Sequence, residues 1–473
     1  MLAPTRLPVA IALASLIVLS LLPASGCGAT GGTSAAAPAA SIGLNTPYSA
    51  APLAQSIAAS NSSPVQSSYF GMHIHHLADP GLAPAQQTPF PPFSFSTLRL
   101  WDNVGWSNLE PQRDTYNWTR MDNTIAKASA KGVSDFIFTF GYVPQWASSN
   151  PTDSNCANLG SCDPPVDLAD LDNFANQLVQ RYCGVVKYYE TWNEPSASNF
   201  WSGTDAQLLA ITQHIYSAVK DPANCGCANG QCAPGGGENP NKVLLPPINA
   251  TTSPSAKQWL TDWLNYVGSP YPYADIAAFH GYGFTDNPEQ IGNGVSFMQG
   301  LMQQYGLGSA ELWDTEGSWG QASSLQQPED QASWLIRFQI MQTLAGVSRF
   351  TWYAYDNCQW GTLFDRAACP ATNGVPGVRE PATAFATVQQ WLTGAALQGC
   401  NGYTDGTWLC QFTRSNGYLA WAAWNSNGNS ITLDASALPG MTQFRDWKNQ
   451  KTAITGSIPV GSMPILIENQ SAF

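Results

Sequence analysis

Eight short apolar segments separated by helix-like stretches decide what this chain can fold into. Between about residues 66 and 395, the segments Tyr69–His75, Thr97–Trp101, Asp135–Phe140, Val185–Trp192, Lys242–Leu245, Ile276–His280, Glu311–Thr315 and Arg349–Tyr355 read as strands. Among the stretches between them, Trp118–Ala130, Asp167–Tyr182, Asp205–Val219, Lys257–Val267, Pro288–Tyr305, Glu329–Leu344 and Pro381–Leu392 repeat apolar residues at helical spacing. Strands that alternate with helices pair in parallel, and a parallel sheet has to be covered on its faces. Eight such units predict an α/β chain built as a (β/α)8 TIM barrel over 66–395.

The texture changes near Gly399. Alternating runs at Thr407–Arg414 and Tyr418–Trp424 flank Ser415-Asn416-Gly417, and Asn-Gly between two such runs is a hairpin signal. Residues 396–473 therefore read as a small antiparallel β domain, sandwich-like in texture. At the other end, Arg6, the apolar run Leu7–Leu22 and the small residues before Cys27 read as a lipoprotein signal peptide over 1–27, with Cys27 as the lipidated mature N-terminus. Residues 28–65, rich in Ala, Ser, Gly and Pro, are expected to be a flexible linker. The chain is thus expected to be exported, touching a membrane only through that lipid anchor or being secreted outright. Disulfides fit that compartment, and close spacing suggests Cys156–Cys162, Cys358–Cys369 and Cys400–Cys410, while Cys183, Cys225, Cys227 and Cys232 leave three pairings open.

Nineteen basic residues against 32 acidic ones give a net charge of −13, which would repel a phosphate backbone and argues against nucleic-acid partners. Charged residues are only 11% of the chain. The chain is expected to act as a monomer.

In a barrel of this kind chemistry sits where the strands end. The fourth strand ends Tyr189-Glu190-Thr191-Trp192-Asn193-Glu194-Pro195 and the seventh Trp313-Asp314-Thr315-Glu316-Gly317, so each delivers a glutamate to the same mouth. Buried carboxylates are costly unless used. Two aimed at one aromatic-rich face suit cleavage of a glycosidic bond, one protonated to release the leaving oxygen and one ionised to attack. Trp352, on the last strand, is the expected floor under the reacting sugar, with Trp146 a further stacking surface. His75 is expected to hydrogen-bond to substrate, or with His73 toward Arg99, rather than to bind metal, and neither metal nor organic cofactor is expected.

Thr191-Trp192-Asn193-Glu194-Pro195 with Glu316 resembles the paired motifs of the clan A retaining glycoside hydrolases. Phe70–His75, Leu98–Asp102, Val143–Ala147, Phe279–Tyr282 and Trp352–Asp356 are similar to segments of glycoside hydrolase family 39, especially its exopolysaccharide-cleaving bacterial branch. The resemblance implies Glu194 as acid/base and Glu316 as nucleophile, with Asn193 on the sugar 2-hydroxyl. It also implies that Arg99 holds Glu316 ionised and that His280 and Tyr282 contact the nucleophile and the reacting sugar. Gly317-Ser318-Trp319-Gly320 departs from the continuation of the family's xylosidases. The expected activity is endo-acting hydrolysis of β-linked, equatorial glycosidic bonds in an extracellular polysaccharide or exopolysaccharide, so the expected partner is a polysaccharide or oligosaccharide. An exo-acting β-xylosidase-like enzyme or a non-catalytic carbohydrate-binding lipoprotein are the alternatives.

Overall fold

A computed structural model describes residues 48, 50–226, 239–283, 287–321, 324–369 and 375–472. The expected signal peptide with Cys27, most of the linker, and Cys227 and Cys232 lie outside these residues. Eight parallel strands close into a barrel in chain order: β1 (Phe70–Met72), β2 (Thr97–Leu100), β3 (Asp135–Thr139), β4 (Val186–Glu190), β5 (Lys242–Leu244), β6 (Ile276–His280), β7 (Glu311–Gly317) and β8 (Arg349–Trp352). Each falls inside the segment read from sequence, except that β7 runs on to Gly317.

The pleat sends alternate residues into the barrel. Ile137, Leu244, Ile276, Ala278 and Trp313 form an inner cluster. Arg349 lies beside it, with its guanidinium 4.2 Å from the Trp313 ring, a hydrogen bond to Thr97 Oγ1 at 2.8 Å and an ion pair to Asp135 at 2.9 Å. This apolar layer with one neutralised cation lies beneath the working end. The opposite faces of the strands, including Leu98, Phe136, Phe138, Tyr189 and Phe350, join the helices in the main core.

Capping explains several helix starts. Asp167 accepts from Ala169 N–H ahead of Leu168–Arg181, and Thr204 with Gln207 forms a capping box ahead of Asp205–Lys220. The helix expected from Pro288 begins as a 3-10 turn over Pro288–Gln290 and becomes α-helical only from Ile291 to Gln304.

Seven antiparallel strands make the C-terminal sheet, and the expected hairpin joins Thr407–Thr413 to Leu419–Asn425. One face of the sheet packs Leu409, Trp421 and Ile467 on Leu433 and Ile458 of a two-stranded ribbon, and Trp424 and Phe412 belong to the main core. Trp424 Nε1 donates to Glu289 at 2.7 Å, and Arg337 grips the same carboxylate through two 2.7 Å bonds. The linker expectation needs correcting at Leu53–Ala58, which forms the sheet's edge strand against Ala396–Tyr403. An edge strand is held by backbone bonds, and these side chains are mostly exposed, so no buried face imposes an alternating pattern on its sequence. The three expected disulfides are formed, and a fourth joins Cys183 to Cys225. Among the described residues no helix is long and apolar enough to cross a membrane.

Candidate active site

At the strand ends the regular backbone breaks. Asp102, Tyr142 and Glu194, all non-glycine, follow β2, β3 and β4 with φ of 59°, 55° and 40°. Left-handed conformations cost such residues roughly 1–2 kcal/mol each, and their clustering at one end marks where strain serves function. In β7 the register shifts between Asp314 and Gly317, and His280 of β6 pairs with Glu316. That bulge re-aims Glu316 into the mouth.

Arg99, rising from β2, organises the centre. Its side chain is wholly buried. Nε donates to Glu190 Oε2 at 2.7 Å, Nη1 to Glu316 Oε2 at 2.8 Å and Nη2 to Asn193 Oδ1 at 2.9 Å. The Tyr282 hydroxyl donates to the other Glu316 oxygen. Glu194 faces the same space with Oε1 on His280 Nδ1 at 2.7 Å, while His280 Nε2 stands 3.8 Å from Glu316 Oε2. One imidazole therefore spans the two glutamates.

The charges depend on one another. Burial pushes the Glu316 carboxyl up, His280 and Arg99 pull it back, Glu194 adds to the push, and the Tyr282 bond favours the anion; the outcome lies above the ordinary glutamate value. Burial would lower His280, but Glu316 and Glu194 outweigh it and raise this imidazole toward its cationic form. Burial, with Glu316 close by, keeps the Tyr282 hydroxyl protonated as a donor. His73 is driven the other way, by burial and Arg99, and stays neutral, so Nε2 can accept from Arg99 Nη1 at 3.3 Å. Glu316 is thus an acceptor surrounded by donors, as an attacking carboxylate requires. Among the described residues Glu194 Oε2 has no protein partner, and it faces the space a bound molecule would occupy.

A cleft of about 1100 Å³ opens over the pair, lined by Glu194, Glu316, Tyr282, Tyr353, Trp319 and Trp360 and by the loops at 196–200 and 249–256. Arg99, Asn193, His280 and Tyr282 converge with the two glutamates as expected. Trp352 does not join them: it is 0% exposed, packed among Trp319, Trp334 and Phe385, with Nε1 on Gly361 O at 2.7 Å. Strand parity explains the miss. Arg349 points into the barrel, so Trp352 points out and Tyr353 points in. Trp146 is also elsewhere, edge-on to Trp106 and beneath Arg113, with Nε1 on Glu110 O at 2.9 Å. His75 is held at the edge of the mouth, with Nε2 2.7 Å from Asp102 and its backbone N–H on Asp356. His73, His75 and Asp102 bring ligand-type atoms together, but the guanidinium beside His73 would repel a metal cation. Sequence reasoning missed Tyr353 as a cleft group, which parity would have found, and Asp102 as the partner of His75.

Residues 233–374, from before β5 to beyond β8, match the family described as glycosyl hydrolase catalytic core. In fold the chain is similar to a family 39 glycoside hydrolase from the gut symbiont Bacteroides cellulosilyticus WH2, with TM-score 0.62 and 14% identity over 85% of this chain and 81% of that one. It is also similar to a glucosidase from Croceicoccus marinus, with TM-score 0.57 and 14% identity over 87% and 98%. The catalytic domain of GH30 xylanase C from Talaromyces cellulolyticus gives TM-score 0.54 and 14% identity over 87% and 98%. No curated protein matches by sequence. The chain thus has the barrel fold of these glycoside hydrolases, and residues 233–374 of it match a glycosyl hydrolase catalytic core.

Proposed function

We propose that the chain is a retaining hydrolase of β-linked, equatorial glycosidic bonds that cuts within a polysaccharide, acting by double displacement. The observation that carries this reading is the imidazole of His280 between Glu194 and Glu316, which brings the β4 and β7 carboxylates to one reacting bond. Glu316 attacks the anomeric carbon while Glu194 gives its proton to the departing oxygen, leaving a glycosyl ester on Glu316. Glu194, now a carboxylate, takes a proton from water; that water attacks the same carbon and releases Glu316. Asn193, fixed by Arg99, offers its amide to the sugar 2-hydroxyl, and Tyr353 with Trp360 supplies aromatic faces for the ring. The cleft is open along the loops at 196–200 and 249–256, a shape that supports a polymer segment as the bound species.

Export, with Cys27 as the lipid-bearing N-terminus, belongs to the same proposal and fits the four disulfides. The test is mass spectrometry of products from a polysaccharide panel, bacterial exopolysaccharides included, using the chain from residue 28 beside Glu316→Gln. Oligosaccharide ladders from the unaltered chain alone are expected. Single sugars alone would overturn the endo mode, and equal product from Glu316→Gln would remove Glu316 from its role.

A further inference from the structure

The cleft is one-sided in charge. The ionisable carboxyl side chains lining the cleft are Glu194 at 19% and Glu316 at 9% exposure, and at its edge the cationic His75, also 9% exposed, is paired with Asp102 at 2.7 Å. The cations beside them, Arg99 and His280, are 0% exposed in their side chains and bonded to those same carboxylates. The rest of the lining is serine, threonine, asparagine, glutamine, small apolar residues and aromatic rings, with no lysine or arginine.

Nearby positive groups are committed elsewhere. Lys257 follows the rim residues Ser253–Ala256, but its ammonium lies 5.4 Å over the Phe297 ring. Arg120 pairs with Asp79 at 2.5 Å, and Arg366 Nε donates to the Asp356 carbonyl at 3.1 Å. The helix Pro254–Val267 starts at the rim, yet Pro254 has no N–H, the Ala256 N–H is capped by Ser253 Oγ at 3.2 Å, and the Lys257 N–H bonds Ser253 O at 3.1 Å. Little of its partial positive charge is left for an anion.

We propose that this cleft selects glycans free of carboxylate, sulfate and phosphate groups and turns away acidic polysaccharides. The inference rests on Glu194 and Glu316 being the cleaving pair. An acidic sugar would carry a like charge into a walled space already holding Glu194 and Glu316, with no lysine or arginine among the described lining residues to meet it, and charge repulsion at such range weakens binding by roughly tenfold or more. Neutral amides and hydroxyls with aromatic faces suit uncharged sugars.

The test uses Glu316→Asp, which keeps the charge of the cleft while withdrawing the carboxylate from the anomeric carbon. Native gels are cast with neutral polymers (barley β-glucan, arabinoxylan, galactomannan) or acidic ones (polygalacturonate, alginate, hyaluronan). Retardation by at least one neutral polymer and by no acidic one is expected. Adding Gln321→Arg, at an exposed rim position, should bring retardation in the acidic gels. Retardation of Glu316→Asp alone by an acidic polymer overturns the proposal, as does the absence of retardation by every neutral one. A neutral polymer that binds but is not cut by the unaltered chain would sink the hydrolytic reading of this cleft and leave its charge selection standing.

Discussion

Two carboxylates share the Arg99 guanidinium, and exchanging each for an amide should separate the group that holds the fold from the group that does chemistry. Glu190 is wholly buried, takes Arg99 Nε at 2.7 Å and Nη2 at 2.6 Å, and accepts from Thr139 Oγ1 at 2.6 Å. Removing one member of a buried pair costs about 3–5 kcal/mol. Glutamine keeps an acceptor for Nε, so Glu190→Gln belongs near the lower end, about 3 kcal/mol. Glu316 is also bonded to Arg99, but burial and Glu194 both oppose its charge. The amide in Glu316→Gln gives up a charge-assisted bond of about 1.5–3 kcal/mol and is relieved of that opposition, for a net change within about 1 kcal/mol. Urea unfolding followed by tryptophan fluorescence at pH 6, with disulfides intact, measures both. Glu190→Gln should unfold well before the parent and retain measurable turnover, whereas Glu316→Gln should unfold with the parent and have none. Equal destabilisation by the two substitutions, or a Glu190→Gln protein as stable as its parent, would refute the division of labour.

Parity at β8 makes a paired forecast: Trp352→Ala should cost about 3–5 kcal/mol of stability with an unchanged KM for the folded protein, and Tyr353→Ala should raise KM with a smaller loss; urea curves and kinetics on one substrate would show the reverse if Trp352 were the sugar platform. The pH dependence has a definite sign. Burial would lower His75, but Asp102 and Asp356 raise it to about 9, and burial raises Asp314 to about 8; both folded values exceed the ordinary 6.5 and 3.8, so the stability they confer is complete below those ordinary values and is lost as pH rises through 8 and 9. The thermal midpoint should therefore fall between pH 6 and 9.5, less so in Asp314→Asn, and a flat or rising midpoint would contradict the assignment. Glu194 in its left-handed conformation predicts that Glu194→Gly is more stable than Glu194→Ala by about 1 kcal/mol, both being poor catalysts on substrates with poor leaving groups; parity between the two in urea would deny the strain. Trp424→Phe removes the indole N–H from Glu289 and should cost about 1–3 kcal/mol, whereas a sheet that merely hangs from the barrel would tolerate the change in calorimetry.

The barrel was legible because each βα unit leaves two periodic marks, an apolar strand and an amphipathic helix, and β6 was readable from Ile276 to His280 without error. The glutamates were legible because a carboxylate at the end of an apolar strand is conspicuous. The edge strand Leu53–Ala58 was not, since backbone pairing to Ala396–Tyr403 asks nothing of its side chains. Trp352 was misread because size and position at a strand end were weighed without counting parity from Arg349, whose ring stacking and ion pair place it inside the barrel.

The role of Glu190 shows a deeper limit. Glu190 is the last residue of β4, wholly buried and outside the cleft lining; Arg99 and Thr139 take one of its oxygens, and no protein group among the described residues bonds the other. Yet Glu316 could not be met by a well-aimed guanidinium without it. A single buried cation facing one carboxylate would be held at one point only and would be free to swing. A second carboxylate, fixed from the neighbouring strand, anchors Nε and leaves Nη1 for Glu316 and Nη2 for Asn193. Linear spacing places each of these residues at the end of its strand. It cannot express that β2, β4 and β7 meet around one guanidinium, because that follows from barrel closure, and closure is what turns scattered strand ends into a site.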